Sequence, residues 1–405
     1  MTKRNKLTIR VPYGLSAHDD KEAKAVLKVI NEHRTGMGAE TKAFEKKIAV
    51  LFGKKYGVAV NSGSSANLLA FEIMDLPKGS EVITPILTFS TTLAPILQKG
   101  LKPVFVDIKP RTFLIDIDKI EKKITKNTKA LMIPSLLGNI PDLARLRKIA
   151  NKHKLFLVED SCDTLGGTLN NKPTGIYSDI STTSFYGSHV INAAGNGGMI
   201  LVNRSDWYER LLVLRGWGRS SGLFAESEDI KKRFSVSLAG IPYDGKFFFT
   251  EIGYNFMPME IGSAFGLVQL EKLASFAKKR RDNFAELSKF FERWNNFFEL
   301  PRQTEKTETS WLAFPITLRK NTPFSRLDIV KFLEEQNIQT RPVFTGNVLH
   351  QPAFKHLAHK NFEKMYPETD RVMYRSFLIG CHQSLTLPQI KHLKNSFDYF
   401  LKKYQ

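Results

Sequence analysis

Short apolar segments alternate with helix-like segments along the first half of the chain, and this alternation constrains the fold more than any other feature. It is typical of βαβ units, which build a mostly parallel sheet with helices on both faces. Two further strand-like segments follow without a full helix between them. The sequence therefore predicts an α/β fold. The predicted strands are 56–60, 81–85, 103–107, 130–134, 155–160, 180–185 and 197–202, and the predicted helices are 64–74, 90–99, 116–124 and 141–153.

The pattern changes in the second half of the chain. Residues 205–300 are predicted to be largely helical, and a strand-like segment at 311–319 and a helix at 324–337 follow after Pro301. This restart indicates a second, smaller folding unit. We therefore predict an N-terminal arm plus a large domain over 1–300 and a smaller α/β domain over 301–405.

The chain is strongly basic, with 60 lysine and arginine residues against 40 aspartate and glutamate residues and a formal charge of +20. Such a charge raises the possibility of nucleic-acid binding. The basic residues are spread over the whole chain, however, without an arginine-rich tail, zinc-finger spacing or RNA-binding signature. We therefore predict solvated helix faces and no nucleic-acid partner. A small anionic ligand, such as a nucleotide diphosphate, would also suit a positive field.

Cellular location is predicted from three features of the sequence. No apolar run of 18 residues is present, so no membrane span is expected. Residues 1–14 contain basic side chains but no apolar core of a secretory signal. Cys162 and Cys381 are the only cysteines, which is too few for a disulfide framework. The expected location is a reducing cytoplasm.

The segment NSGSSANLLA, at 61–70, comes directly after a predicted strand and opens a predicted helix. Gly63 permits a tight turn, and the N–H groups of Ser64 and Ser65 would lie at the positive end of the helix, where phosphate groups bind. An ordinary serine cap of the helix explains the same residues. There is neither a G-x-G-x-x-G motif nor a Walker lysine here, so NAD and ATP binding are not supported.

Acidic residues lie at the carboxyl end of the predicted strand 155–160, in VEDSCDTLGG at 158–167. Ligands of open α/β sheets bind beyond the carboxyl ends of the strands. Asp160 would there meet a cationic ring nitrogen and Asp163 a second polar atom. The alternative is a pair of carboxylates that cap a helix or loop, with Cys162 as a small buried side chain.

A single histidine lies between two predicted strands, in STTSFYGSHVINAAGNGGMI at 181–200. Ser184 could add a hydroxyl to a phosphate site, and the glycines that follow His189 would let backbone approach a ligand closely. A lone histidine is more often structural, so both interpretations stay open at this point. Phe89, in TFSTT, offers a flat stacking surface, and Asn255 precedes a long predicted helix. The remaining histidines are spaced too irregularly to predict a metal site.

Seven segments, taken in order, resemble one protein family: NSGSSAN, TPILTFSTT, VFVD, VEDSCD, TSFYGSH, GNGG and GYNFMPMEIGSAFGLVQLEKL. They are similar to the DegT/DnrJ/EryC1/StrS family of nucleotide-sugar aminotransferases, and the resemblance runs from about residue 36 to residue 354. It implies the fold-type I architecture of pyridoxal-phosphate (PLP) enzymes, which resembles aspartate aminotransferase. It also implies a homodimer with shared active sites.

The resemblance implies a role for each of the residues singled out above. In this family the groups that hold the cofactor phosphate, the pyridine ring and the ring nitrogen come from corresponding segments. By this likeness Ser64, Ser65 and Ser184, beside the turn at Gly63, hold the phosphate, and Asn255 reaches it from the neighbouring subunit. Phe89 stacks on the pyridine ring. Asp160 pairs with the ring nitrogen, and Asp163 lies near the ring hydroxyl.

One position departs from the family pattern. Aminotransferases of the family carry there the lysine that links covalently to PLP, whereas this chain has His189 and no lysine between Lys172 and Lys231. An imidazole moves protons near neutral pH but cannot hold PLP covalently. The resemblance therefore implies the sugar 3-dehydratase branch, in which noncovalent pyridoxamine phosphate (PMP) serves the removal of a C3 hydroxyl. His189 would be the base, and in its protonated form the acid for the leaving hydroxyl.

The substrates of that branch are GDP- or CDP-linked 4-keto-6-deoxyhexoses, which supply 3,6-dideoxysugars for lipopolysaccharide O-antigen. CDP-sugar enzymes of the branch use an iron–sulfur cluster held by four cysteines, most of them in the stretch that matches 216–234. That stretch contains no cysteine here, so no cluster is expected. In the GDP-sugar enzymes glutamate restores PMP. Gly187 and Asn196 also differ from the usual residues, and the identity of the nucleotide stays open.

Two other functions are compatible with the same segments. A conventional PLP-dependent nucleotide-sugar aminotransferase would use a lysine from elsewhere in the chain. A catalytically inactive family member would keep the fold and act as a regulator. The joint presence of Phe89, Asp160, Ser184 and a proton-transferring group at His189 argues against the regulator.

Overall fold

The computed structural model describes residues 9–224 and 229–405. The predicted domain over 1–300 and the predicted helical region 205–300 include undescribed residues, and two further predictions fall partly outside the described residues. One is the absence of a secretory signal, which concerns residues 1–14. The other is the cysteine-free stretch 216–234, of which residues 225–228 lie outside.

The strands and helices follow one another largely as the apolar pattern predicts. The strands are β1 (Tyr56–Val60), β2 (Glu81–Pro85), β3 (Lys102–Val106), β4 (Thr128–Pro134), β5 (Phe156–Asp160), β6 (Thr168–Leu169), β7 (Lys172–Pro173), β8 (Ile180–Ser184), β9 (Gly198–Val202), β10 (Val236–Leu238), β11 (Ile241–Tyr243), β12 (Phe298–Glu299), β13 (Thr307–Glu308), β14 (Ala313–Leu318), β15 (Thr340–Arg341) and β16 (Ser376–Gly380). The helices are α1 (Asp20–Asn31), α2 (Ala39–Phe52), α3 (Gly63–Met74), α4 (Ser90–Gln98), α5 (Leu143–His153), α6 (Ser205–Arg215), α7 (Ile230–Arg233), α8 (Glu260–Glu292), α9 (Arg326–Glu335), α10 (Pro367–Arg375) and α11 (Leu387–Leu401).

The large sheet has seven strands in the order β1-β9-β8-β5-β4-β2-β3. The pairs from β8 through β5, β4 and β2 to β3 are parallel, and β9 runs antiparallel to both of its neighbours. The mostly parallel α/β sheet predicted from the sequence is therefore confirmed. Since β1, β2, β4, β5 and β8 all point the same way, the segments that follow them meet at one edge of the sheet.

A second, antiparallel sheet has the order β12-β14-β16-β15. Its hydrophobic core combines residues from both sides of the predicted boundary at residue 300. Phe291 of α8 and Phe298 pack there with Phe314 and Phe397. The long helix α8 thus spans from the large sheet to the second one. The division at residue 300 stays a prediction.

Two of the predicted helical regions are wrong. The stretch 116–124 forms two short 3-10 turns, because among its apolar side chains only Ile120 is fully buried and a short helix then cannot offset its nucleation cost. The described residues of 216–259 are mostly irregular and contain α7, β10, β11 and two short 3-10 turns. Glycines such as Gly218 and Gly240, which adopt left-handed backbone angles, interrupt any helix there. Within the described ranges, no helix is long and apolar enough to cross a membrane.

Candidate active site

A cavity of about 480 Å³ opens where the segments after β1, β2, β4, β5 and β8 meet. Its volume lies within the roughly 300–1,000 Å³ range of small-molecule and cofactor sites. The structure brings most of the predicted site residues together in its wall. The predicted residues that line it are Gly63, Ser64, Phe89, Asp160, Asp163, Ser184 and His189.

The first wall of the cavity is the start of α3. The Ser62 hydroxyl caps this helix by accepting a hydrogen bond from the Ser65 N–H at 3.1 Å. The Ser65 hydroxyl turns away and donates to Asn61 Oδ1 at 2.7 Å, so Ser65 does not line the cavity, whereas Ser64 does. The positive end of the helix dipole still points at the cavity. The serine cap is therefore present in this turn, and it leaves the start of the helix facing the cavity; the phosphate site remains a prediction.

Gly63 is required in that turn by close packing. A Cβ atom at this position would lie 2.7 Å from both Cys162 Sγ and Ser184 Cβ. Real Cβ atoms do not approach other heavy atoms so closely. The glycine thereby lets α3 begin directly against the ends of β5 and β8, and it brings Ser64 and Ser184 into one wall.

Asp160, the last residue of β5, is buried and held by three donors. Asn67 Nδ2 and Thr92 Oγ1 donate to Oδ2 at 2.9 and 2.7 Å, and the Cys162 N–H donates to Oδ1 at 3.1 Å. Charge-assisted hydrogen bonds of this kind fix both the position and the orientation of a carboxylate. Asp160 thus presents a rigid negative group at the base of the cavity.

Asp163 lies one turn further along the chain and is also enclosed. Burial, and to a smaller extent the charge of Asp160, raise the pKa of its carboxyl to about 7. The hydrogen bond that Oδ2 accepts from the Leu137 N–H at 2.9 Å opposes this rise. Asp160 serves as an acceptor, and Asp163 holds or releases a proton near pH 7.

His189 lies in the turn between β8 and β9, where its backbone N–H donates to the Tyr186 carbonyl at 2.9 Å. Its Nδ1 lies 3.4 Å from the Ser184 carbonyl, which can only accept, so this nitrogen carries the proton and Nε2 keeps its lone pair. Burial lowers the pKa of His189 to about 4, and the positive charge of Arg280 contributes. The imidazole is therefore neutral at pH 7 and able to accept a proton.

Asn255, like Ser65, is a predicted site residue that does not line this cavity. It pairs with Gly216 in an isolated antiparallel bridge and does not line the cavity of its own chain. A role for Asn255 in the site of a neighbouring subunit remains a prediction.

Several cavity residues were not singled out from the sequence. Asn67 and Thr92 stand within the quoted motifs NSGSSAN and TFSTT, but their contact with Asp160 joins residues far apart in the chain. Ser62, Tyr186 and Ser188 also stand within the quoted motifs, and Asn196 was noted above only as a departure from the usual residue. Nothing in the local sequence points to Tyr13 or Phe344, which also line the cavity.

The family model described as the DegT/DnrJ/EryC1/StrS aminotransferase family matches residues 16–398, nearly the whole chain. The chain belongs to this family. Lipopolysaccharide biosynthesis protein RfbH of Salmonella typhimurium is 38% identical to it over 88% of the chain and 84% of that protein. GDP-4-keto-6-deoxy-D-mannose 3-dehydratase of Yersinia pseudotuberculosis is 35% identical over 96% of the chain and 98% of that protein.

A solved structure is similar to this chain as well. GDP-4-keto-6-deoxymannose-3-dehydratase with a trapped PLP-glutamate geminal diamine has a TM-score of 0.83 and 30% identity, over 95% of this chain and 99% of that one. The predicted PLP fold-type I architecture is therefore confirmed. The cofactor expected from the sequence is the one that this relative binds.

Proposed function

We propose that this family member is a PMP/PLP-dependent 3-dehydratase that removes the C3 hydroxyl from a nucleotide-linked 4-keto-6-deoxyhexose. The observation that carries the proposal is the side chain between β8 and β9. His189 lines the cavity there, and no lysine is present among the described residues that line it. A site of this kind can move protons on a bound cofactor but cannot hold that cofactor covalently.

The cavity residues fit PLP and PMP. Ser64 and Ser184 line it beside the N-terminus of α3, where a phosphate is favoured. Phe89 presents an exposed ring to one side, and Asp160 lies ready to pair with a protonated ring nitrogen. When bound, the cofactor supplies an amine that condenses with the sugar ketone and a ring that accepts electrons.

His189 is then the group that moves protons. Its neutral Nε2 would accept a proton from the C4′ carbon of a bound cofactor, and the imidazolium so formed would donate a proton to the departing C3 hydroxyl. The hydrogen bond of Nδ1–H to the Ser184 carbonyl keeps the ring in the required tautomer throughout. Asp160 would meanwhile accept a hydrogen bond from the protonated ring nitrogen of the cofactor.

The active form is proposed to be a homodimer with shared active sites. We define the exposed apolar segment as residues 217–224 and 229–259, which contain a concentration of exposed large apolar side chains. Monomeric soluble proteins rarely expose apolar surface on this scale. Asn255 lies within the segment, so a second copy packed on the segment would place Asn255 at the interface between the two copies. The exposed side chains are Trp217, Leu223, Ile230, Phe234, Leu238, Ile241, Tyr243, Phe247, Phe249, Ile252 and Met259.

The proposed substrate carries GDP or CDP, and glutamate is the proposed donor that restores PMP. Similarity to the Yersinia pseudotuberculosis dehydratase and to RfbH supports a nucleotide-linked hexose and a place in lipopolysaccharide O-antigen synthesis. The relative with PLP and glutamate trapped together supports glutamate. The positive net charge of the chain suits a nucleotide diphosphate. We also propose that the enzyme works in the cytoplasm.

The test is to incubate the purified enzyme with GDP- and CDP-4-keto-6-deoxyhexoses, with and without PMP and glutamate, and to analyse the sugars by mass spectrometry. Loss of the C3 oxygen is the expected result. Transfer of an amino group to C4 without loss of oxygen would contradict the proposal. No conversion of any such sugar would instead favour an inactive regulator.

An aminotransferase is the second candidate, because the matched family model carries that description. Borohydride reduction of the PLP-loaded enzyme, followed by peptide mass spectrometry, separates the two. The dehydratase leaves PLP unattached, whereas an aminotransferase fixes it to a lysine. A lysine adduct would overturn the assignment of His189.

A further inference from the structure

The segment 11–17 forms a strap that crosses from the second sheet to the active site. Its first end is fixed beside β15, where Val11 forms a parallel bridge with Ile338. The Val11 N–H donates to the Asn337 carbonyl at 3.0 Å, and the Gln339 N–H donates to the Val11 carbonyl at 2.9 Å. Gln339 Oε1 also accepts from the Tyr13 N–H at 3.1 Å. The start of the strap therefore has a defined register.

The other end of the strap is fixed to the turn that carries His189. A Cβ atom at Gly14 would lie 2.8 Å from Ser188 Cβ, so the two backbones approach closely here. Asn192 Nδ2 donates to the Ser16 hydroxyl at 3.0 Å. Anchored at both ends, the strap has little freedom, and it holds Tyr13 in place across the cavity.

The Tyr13 side chain lines the cavity, with the Arg341 guanidinium 5.6 Å from the centre of its ring. In the described residues its hydroxyl makes no hydrogen bond, although the side chain is largely enclosed. Burial raises the pKa of Tyr13 above its usual range, and the negative charge of Asp163 adds to this. The phenol is thus a neutral donor in the cavity wall without an acceptor among the described protein residues.

We propose that the Tyr13 hydroxyl binds the hexose of the substrate, donating a hydrogen bond to a sugar oxygen on the side of the cavity where His189 acts. The inference rests on the proposed function, since it requires a hexose in the cavity. Three observations support this location. Tyr13, Ser188 and His189 line one cavity, Gly14 packs on Ser188, and the phosphate-favouring wall belongs to α3 instead. A neutral phenol also suits a neutral sugar oxygen better than a phosphate.

The test is Tyr13→Phe, which keeps the ring and its contact with Arg341 but removes the donor. The expected result is a decrease in kcat/KM of about threefold to tenfold for the 4-keto-6-deoxy sugar, seen mainly as a higher KM, as for one lost hydrogen bond. Affinity for PMP, measured by absorbance titration, and the midpoint of thermal unfolding should stay unchanged. Tyr399→Phe, on the exposed face of α11, is the matched control.

Three outcomes are distinguishable. Wild-type kcat/KM in Tyr13→Phe, with an active wild-type enzyme, overturns the assignment of Tyr13 alone. Weaker PMP binding in the variant also overturns it, because the hydroxyl would then serve the cofactor. Absence of turnover in the wild-type enzyme overturns the proposed function instead.

A second variant tests the strap itself. Gly14→Ala should displace the strap, because the new methyl group collides with Ser188. Its kcat/KM should fall at least as far as that of Tyr13→Phe, and Ser188→Gly in the same chain should restore part of the loss. A Gly14→Ala enzyme with wild-type kinetics would contradict the anchoring of Tyr13.

Discussion

At the scale of single residues, the surroundings of the His189 imidazole make it a base. Its enclosure lowers its pKa, and the Ser184 carbonyl fixes its tautomer. His189→Asn should therefore bind PMP with little change, while elimination of the C3 hydroxyl falls about 100-fold or more, as for the loss of a general base. Absorbance titration with PMP and the sugar assay measure the two effects. His359→Asn, at an exposed position, is the control, and wild-type turnover in His189→Asn would mean that another group is the base.

Asp163 predicts a pH dependence of stability. Its folded-state pKa of about 7 lies above the ordinary value of 3.8, so the folded protein binds the extra proton between these values and loses stability as pH rises through that window. Asp163→Asn removes the cost of ionising this carboxyl in the folded protein, and it keeps an oxygen that can accept from the Leu137 N–H. In the cofactor-free enzyme it should raise the free energy of unfolding at pH 8 by up to about 4 kcal/mol, at 1.36 kcal/mol per pH unit, and by much less at pH 4.

Urea unfolding at the two pH values measures this difference. Asp118→Asn, exposed and paired with Arg145, should give no such gain. An Asp163→Asn enzyme that is equally or less stable at pH 8 would show that Asp163 is ionised without penalty.

At the scale of elements, the decisive junction is the start of α3 against the ends of β5 and β8. Gly63→Ala should force these elements apart, because its methyl group would contact Cys162 and Ser184 at 2.7 Å. We expect at least a tenfold loss of PLP affinity, measured by absorbance titration, together with a lower unfolding midpoint. Gly36→Ala, where no atom lies within 4 Å, is the matched control. Unchanged PLP affinity in Gly63→Ala would place the phosphate elsewhere.

At the scale of the whole molecule, the exposed apolar segment predicts self-association. Ile252 is 98% exposed in the single chain, and Ile252→Glu would bury a charge if a second copy covers it. Light scattering after size-exclusion chromatography should show a dimer for the wild type and a monomer for the variant. Leu387→Glu, exposed at the start of α11, should remain dimeric. A wild-type monomer would contradict the homodimer and the role of Asn255.

The elements of the large sheet were predictable because each strand is a short apolar run bounded by polar residues. The helix predictions were wrong where the apolar side chains do not pack against a buried core. The stretch 116–124 has a helical pattern but one fully buried side chain, Ile120. In the described part of the glycine-rich stretch 216–259, many large apolar side chains are exposed in the single chain. Periodicity indicates a helix only when packing supports it.

The sequence by itself determined the α/β class, the family and the replacement of a lysine by His189, since each depends on residue types in a fixed order. Only the tertiary structure decided which side chains share the cavity. Asn67 and Thr92 reach Asp160 across many residues, and the strap places Tyr13 beside the turn of His189. The protonation of Asp163 and His189 is likewise a tertiary property, because burial and neighbouring charges set their pKa values and both arise only when distant segments pack together.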